Sequence, residues 1–162
     1  MVVRFSDGTT LRIPSAIAKA ISNRLARDGF SFESGGVLLG TRHARLPKYE
    51  VVDLTFPGKL DKRGRFHFLR SKRAANKAIK RSWSQSGGKV NYIGEWHTHD
   101  EPLPRPSRAD RKLMRQIVKD RSCRFDKAFM LIIGNGDTFF AGMASSDSEG
   151  SFEDEVMVQW RE

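Results

Sequence analysis

Apolar positions along this chain fall into two periods, and the switches between them predict its elements. Short strand-like runs at 2–5 and 11–13 flank Ser6-Asp7-Gly8-Thr9-Thr10, whose Asp-Gly pair is a hairpin turn signal. Pro14 opens a stretch in which Ile17, Ile21 and Leu25 share one helical face, and Gly29 ends it. An acidic residue and two glycines then lead into an apolar strand, Glu33-Ser34-Gly35-Gly36-Val37-Leu38-Leu39-Gly40, followed by a strand over 49–56 that Pro57-Gly58 stops. Residues 64–70 alternate as a further strand. The spacing over 71–83 predicts a helix with Ala75, Ile79 and Trp83 inward and Lys72, Arg73, Lys77, Lys80 and Arg81 outward. A strand over 90–96 comes next, then a helix over 107–120 burying Leu113, Met114, Ile117 and Val118. Strands at 128–133 and 138–143 flank the turn Gly134-Asn135-Gly136-Asp137, and a last strand spans 155–160 after a Ser/Asp/Glu/Gly-rich loop. Strand pairs with interspersed helices predict one mixed α/β (α+β) domain over 1–162, a sheet packed by helices.

Composition sharpens this picture at three points. With 38% apolar residues in 162, the chain supports a single core. No apolar run approaches bilayer length and the N-terminus carries no basic-then-apolar signal, so a cytoplasmic protein without a membrane partner is expected. The single cysteine, Cys123, excludes an internal disulfide and a Cys-rich zinc ribbon, and reads as a partly buried small residue. The formal net charge of +10 is unevenly placed. Ten basic residues between Lys59 and Arg81 face Asp61 alone, whereas the chain beyond Ser145 is acidic. A concentrated basic surface favours an acidic partner, which could be a protein or a nucleic acid.

The chemistry concentrates at 93–111, around Glu95-Trp96-His97-Thr98-His99 and Pro106-Ser107-Arg108-Ala109-Asp110. Side chains at i and i+2 of a strand share a face, so His97 and His99 at a strand end point together. With Asp110 after a Pro-rich loop they make three potential ligands for one zinc ion. Three protein ligands leave a fourth position for water, the pattern of a catalytic zinc. Asp110 also has a plain reading as N3 of a capping box with Ser107 at the N-cap. The two readings are compatible. Glu33, taken alone, reads as a surface loop residue.

Taken together, His-x-His, ten residues, Asp, with Ser three before that Asp and Glu-x-Gly-Gly-x-Leu-x-Gly upstream, resembles the JAMM zinc metallopeptidase motif of the JAB1/MPN family. That family includes deubiquitinases and their prokaryotic relatives. The resemblance implies a mixed central sheet flanked by helices in a cytidine-deaminase-like arrangement. It implies that His97, His99 and Asp110 bind one zinc per chain, that Glu33 is the general base, and that Ser107 steadies the tetrahedral intermediate. The usual proline after the second histidine is Asp100 here, which gives up the stiffening of a fixed φ and adds negative charge near the metal. The run from Gly94 to Ser107 is similar to a bacterial branch of small stand-alone JAB proteins in mobile elements and cyclic-oligonucleotide (CBASS) anti-phage operons. That implies an isopeptidase cutting after the C-terminus of a cGAS-like nucleotidyltransferase that an E1–E2-like ligase has joined to targets. The partner is then a protein with an extended C-terminal tail. Two alternatives stay open: a nucleic-acid-associated JAB-fold protein resembling the RadC-type group, and a JAMM peptidase acting on a ubiquitin-like or sulfur-carrier protein.

Overall fold

A computed structural model of the chain describes residues 1–59, 61–64, 67–69, 71–120, 125–146, 152 and 154–159. Among these residues ten strands and three helices follow in the order β1 (Val2–Arg4), β2 (Thr10–Arg12), α1 (Ser15–Asp28), β3 (Gly35–Arg42), β4 (Lys48–Leu54), β5 (Lys62–Gly64), β6 (His67–Leu69), α2 (Lys72–Gln85), β7 (Asn91–Thr98), α3 (Arg108–Lys119), β8 (Lys127–Ile133), β9 (Thr138–Ser145) and β10 (Asp154–Gln159). Eight strands form one sheet in the order β1-β2-β4-β3-β7-β8-β9-β10. Its β2/β4 and β7/β8 pairs are parallel and the others antiparallel, so the sheet is mixed, as the family resemblance implies.

Strand alternation assigns the two faces. On β3, Leu38 belongs to the cluster that contains Ile17 and Ile21 of α1, whereas Val37 and Leu39 pack with Ala75 of α2. On β8, Phe129, Leu131 and Ile133 join the α1 cluster, while Ala128, Met130 and Ile132 pack on Met114 of α3. One helix therefore covers one face and two cover the other. The parallel β7/β8 pair needs a crossover, which α3 supplies. The chain leaving β7 must accordingly pass over the carboxyl end of that strand, where open α/β sheets place ligands.

Two expectations are corrected. The strand expected over 64–70 is a hairpin of β5 and β6, two short strands paired from Lys62 opposite Leu69 to Gly64 opposite His67. Trp83, expected inward, is 42% exposed; its indole lies against the backbone of Gly88, whose φ is +83°. A tryptophan at the end of the helix covers the turn that follows rather than the sheet. The five basic residues of α2 do face outward. Cys123 and most of the loop after Ser145 lie outside the described residues.

Candidate metal centre

The site is built on the β3/β7 pair. Gly35 stands opposite His97, Gly36 opposite Trp96 and Val37 opposite Glu95. Two glycines let the sheet close here. A Cβ on Gly36 would lie 2.0 Å from the carbonyl oxygen of Thr55, and one on Gly94, at φ +153°, would lie 1.9 Å from that of Phe129. Thr55 uses the space at Gly36 to accept the Trp96 indole N–H at 2.9 Å, while its hydroxyl accepts the Val37 N–H at 2.9 Å. His97 is thus fixed in a strand whose neighbours are locked on both sides.

β7 ends at Thr98, so His99 falls one residue past the strand rather than within it. Its backbone N–H still donates to the Ile133 carbonyl at 3.0 Å, which continues the β8 pairing and keeps its ring beside that of His97. The two Nε2 atoms are 3.2 Å apart. Asp110 arrives from the first turn of α3, with Oδ1 3.3 Å from His97 Nε2 and Oδ2 3.6 Å from His99 Nε2. The three groups converge, with one ligand atom from each within 4.8 Å of the others.

The capping-box reading of Asp110 holds, and its carboxylate still faces the two histidines. Ser107 Oγ accepts the Asp110 N–H at 3.2 Å, and Asp110 Oδ2 accepts the Ser107 N–H at 2.7 Å, a complete capping box. Oδ1 is left to face His97. Burial opposes ionisation of Asp110, but the neighbouring His97 and the hydrogen bonds from Ser107 outweigh it and hold the carboxyl well below the usual carboxylate range.

These residues suit a zinc ion. Ligand atoms 2.0–2.1 Å from a tetrahedral zinc stand about 3.3 Å from one another; here the two Nε2 atoms are 3.2 Å apart, and one ligand atom from each of the three groups lies within 4.8 Å of the others. The donor chemistry agrees. His99 Nδ1 lies 3.0 Å from Glu101 Oε1, and an ionised carboxylate only accepts. Nδ1 therefore carries the proton and Nε2 presents a bare lone pair toward His97 Nε2 and Asp110. Two imidazoles and a carboxylate that converge in this way suit a shared cation.

Glu33 lies two residues before β3 and is half-buried, its N–H donating to the Gly64 carbonyl at 3.0 Å. Beyond Gly35 and His97, Thr98 N–H donates to the Ser34 carbonyl at 2.9 Å and Ser34 N–H to Thr98 Oγ1 at 2.9 Å. Glu33 is the next residue back along the chain from this Ser34–Thr98 contact. Chain order thus places Glu33 two residues before the Gly35 that stands opposite His97. Glu101 and Thr55 support the centre and were not singled out from the sequence. The only signal for Glu101 was a carboxylate two residues beyond a histidine.

Residues 14–145 match the family described as prokaryotic homologs of the JAB domain. The chain belongs to that family. Three relatives bear the name CD-NTase/cGAS isopeptidase. The one from Vibrio cholerae is 37% identical over 106 residues, covering 65% of this chain and 64% of that protein, so the match spans just under two thirds of the relative. The one from Pseudomonas aeruginosa is 30% identical over 74% of this chain and 73% of that protein. An Escherichia coli relative is 32% identical over 72% and 71%. The solution structure of protein DSY2949 from Desulfitobacterium hafniense superposes with a TM-score of 0.62 over 92% of this chain and 90% of that one, at 18% identity, a likeness of fold. The JAB match begins at α1 and ends with β9, so it encloses Glu33, the histidine pair, Ser107 and Asp110, while β1, β2 and β10 extend the JAB sheet at its two edges.

Proposed function

We propose that this JAB domain is a zinc-dependent isopeptidase. Its substrate is the amide joining the C-terminus of a cGAS-like nucleotidyltransferase to a target lysine, a bond made by an E1–E2-like ligase in anti-phage defence. The observation that carries the reading is the convergence of His97 Nε2, His99 Nε2 and the Asp110 carboxylate at the carboxyl end of β7. The shared name of the three relatives supports the substrate class.

Zinc bound by His97, His99 and Asp110 would supply Lewis acidity, acidifying water and polarising a carbonyl. Glu33 takes a proton from the water as its oxygen bonds to the carbonyl carbon. The Ser107 hydroxyl donates to the developing oxyanion, and its cap does not interfere, because capping uses only the oxygen as acceptor. As the C–N bond breaks, Glu33 passes the proton to the departing lysine amine, leaving a carboxylate and a free amine.

A cleft of about 270 Å³ opens beside the centre. It starts at Gly35 and Gly36 and runs past Thr55, Phe56 and Lys59 along Ala75 of α2. A floor of glycine backbone suits an extended tail, and the outward Lys72, Arg73, Lys77, Lys80 and Arg81 on α2 suit an acidic body attached to it. The test is a tail exchange. Wild-type protein should cut a reporter fused to the nucleotidyltransferase tail and leave ubiquitin-like and sulfur-carrier tails intact. The reverse preference would reassign the substrate, and salt-sensitive nucleic-acid binding with no cleavage of any tail would reassign the function.

A further inference from the structure

We propose that Glu101 is a positioning residue of the metal centre, and that the β8–β9 turn is the platform holding it in place. The inference rests on the reading of His97, His99 and Asp110 as metal ligands. A histidine ligand works only if the nitrogen facing the metal has no proton and the ring cannot swing away, and a carboxylate on the far nitrogen secures both. Glu101 stands in that place, its Oε1 3.0 Å from His99 Nδ1.

Glu101 is itself held, which separates an orienting group from a chance surface contact. The same Oε1 accepts the Arg105 backbone N–H at 3.1 Å, closing the loop on itself. The Glu101 carbonyl accepts the Asn135 N–H at 3.0 Å, and Asn135 Nδ2 donates to Asp100 Oδ1 at 2.9 Å. One residue of the β8–β9 turn therefore grips two consecutive residues of the ligand loop. Thr138 Oγ1 adds a third tie, to the Pro102 carbonyl at 2.9 Å. The turn glycine allows this approach: a Cβ on Gly134 would lie 2.5 Å from the Glu101 carbonyl oxygen and 2.7 Å from Pro104 Cδ.

This arrangement gives Asp100 a purpose. A proline at that position would stiffen the loop through its ring. Here the stiffness comes from the Asp100–Asn135 bond, so Asp100 and Asn135 act as a pair and Gly134-Asn135-Gly136-Asp137 serves the metal centre as well as the hairpin.

The experiment measures zinc affinity by chelator competition and the visible spectrum of the cobalt(II)-substituted protein, for wild type, Glu101→Ala, Glu101→Gln, Asn135→Ala and His99→Ala. Thermal melting of the metal-free forms is recorded alongside. Loss of an outer-shell partner typically weakens metal binding about 10–100-fold, and Glu101→Ala should fall in that range with an altered cobalt spectrum. Glu101→Gln should be intermediate, since an amide oxygen can still take the Nδ1 proton. Asn135→Ala should weaken binding in the same direction by less. Metal-free melting should be unchanged for Glu101→Ala, because its side chain is 45% exposed. Wild-type affinity and spectrum in Glu101→Ala, with zinc lost in His99→Ala, would overturn the positioning role alone. Absence of zinc binding in wild type would overturn the metal reading beneath it.

Discussion

The cap of Ser107 and the catalytic role proposed for it draw on different parts of one hydroxyl. Its oxygen caps α3 through the Asp110 N–H, and its hydrogen is the proposed oxyanion donor. Ser107→Ala should cost about 1 kcal/mol of stability from the lost cap and roughly 10²–10³-fold in kcat from the lost donor. Ser107→Asp separates the two, since aspartate caps well but has no proton to give: its melting temperature should match wild type and its cleavage should not recover. Recovery of cleavage would remove the serine from the chemistry. Asp110 titrates in a way that can be checked on the metal-free protein. Its folded pKa lies below the ordinary value of 3.8, so the ionised form contributes stability that is complete above that value and is lost as the pH falls through the folded one. Denaturant unfolding should show Asp110→Asn less stable than wild type at neutral pH, with the gap closing as the pH drops below about 4. At this scale the sequence was most legible. The spacing of His97, His99 and Asp110 pointed to a group that the fold does bring together, because two of them follow strand alternation and the third follows the cap of a helix. Glu101 was hidden because a surface glutamate in a loop carries no periodicity, and its partner turn lies more than thirty residues downstream.

Elements were read well where periodicity was strong and poorly where charge or chain ends interrupted it. The amphipathic spacing of α1 and α3 and the apolar runs of β3, β7, β8 and β9 gave nearly their true bounds. The expected strand over 64–70 takes in β6 and only the end of β5, because each arm of the pair is three residues long, too short to show a period of its own. Nothing in the local pattern of β4 announced how it joins the far side of the sheet. Tyr49 packs edge-on against Phe129 at 4.9 Å between centroids, and its hydroxyl donates to Asp126 Oδ1 at 2.6 Å while accepting from Arg42 Nε at 3.1 Å. Burial, reinforced by Asp126, pushes that hydroxyl's pKa well above its usual value. Tyr49→Phe keeps the ring and loses both hydrogen bonds, and should cost about 1 kcal/mol in denaturant unfolding with cleavage unchanged. Gly94→Ala is a harsher test of the β7–β8 junction. Its Cβ meets backbone, not a movable side chain, so a loss on the order of 3 kcal/mol or more is expected. A Gly94→Ala protein that melts like wild type would mean the two strands pack differently from this account.

For the whole molecule, the formal charge of +10 is a statement about encounter more than about fold. Five outward cations on α2 stand on the same face of the sheet as the candidate metal centre. Replacing Arg73, Lys77, Lys80 and Arg81 by glutamine should lower kcat/KM about tenfold at low salt, mainly through KM, and the difference should vanish near 1 M salt, where the screening length is only about 3 Å. An unchanged KM would leave that face as a solvated surface. Among the described residues no helix is long and apolar enough to cross a membrane. The central claim, that a JAB domain with this ligand triad cuts an amide with Glu33 as its base, is tested most directly by zinc content and cleavage measured on one preparation of wild type beside Glu33→Ala. About one zinc per chain is expected in both, with cleavage of the nucleotidyltransferase fusion in wild type alone. Cleavage surviving in Glu33→Ala, or a wild type that cuts without metal, would contradict it.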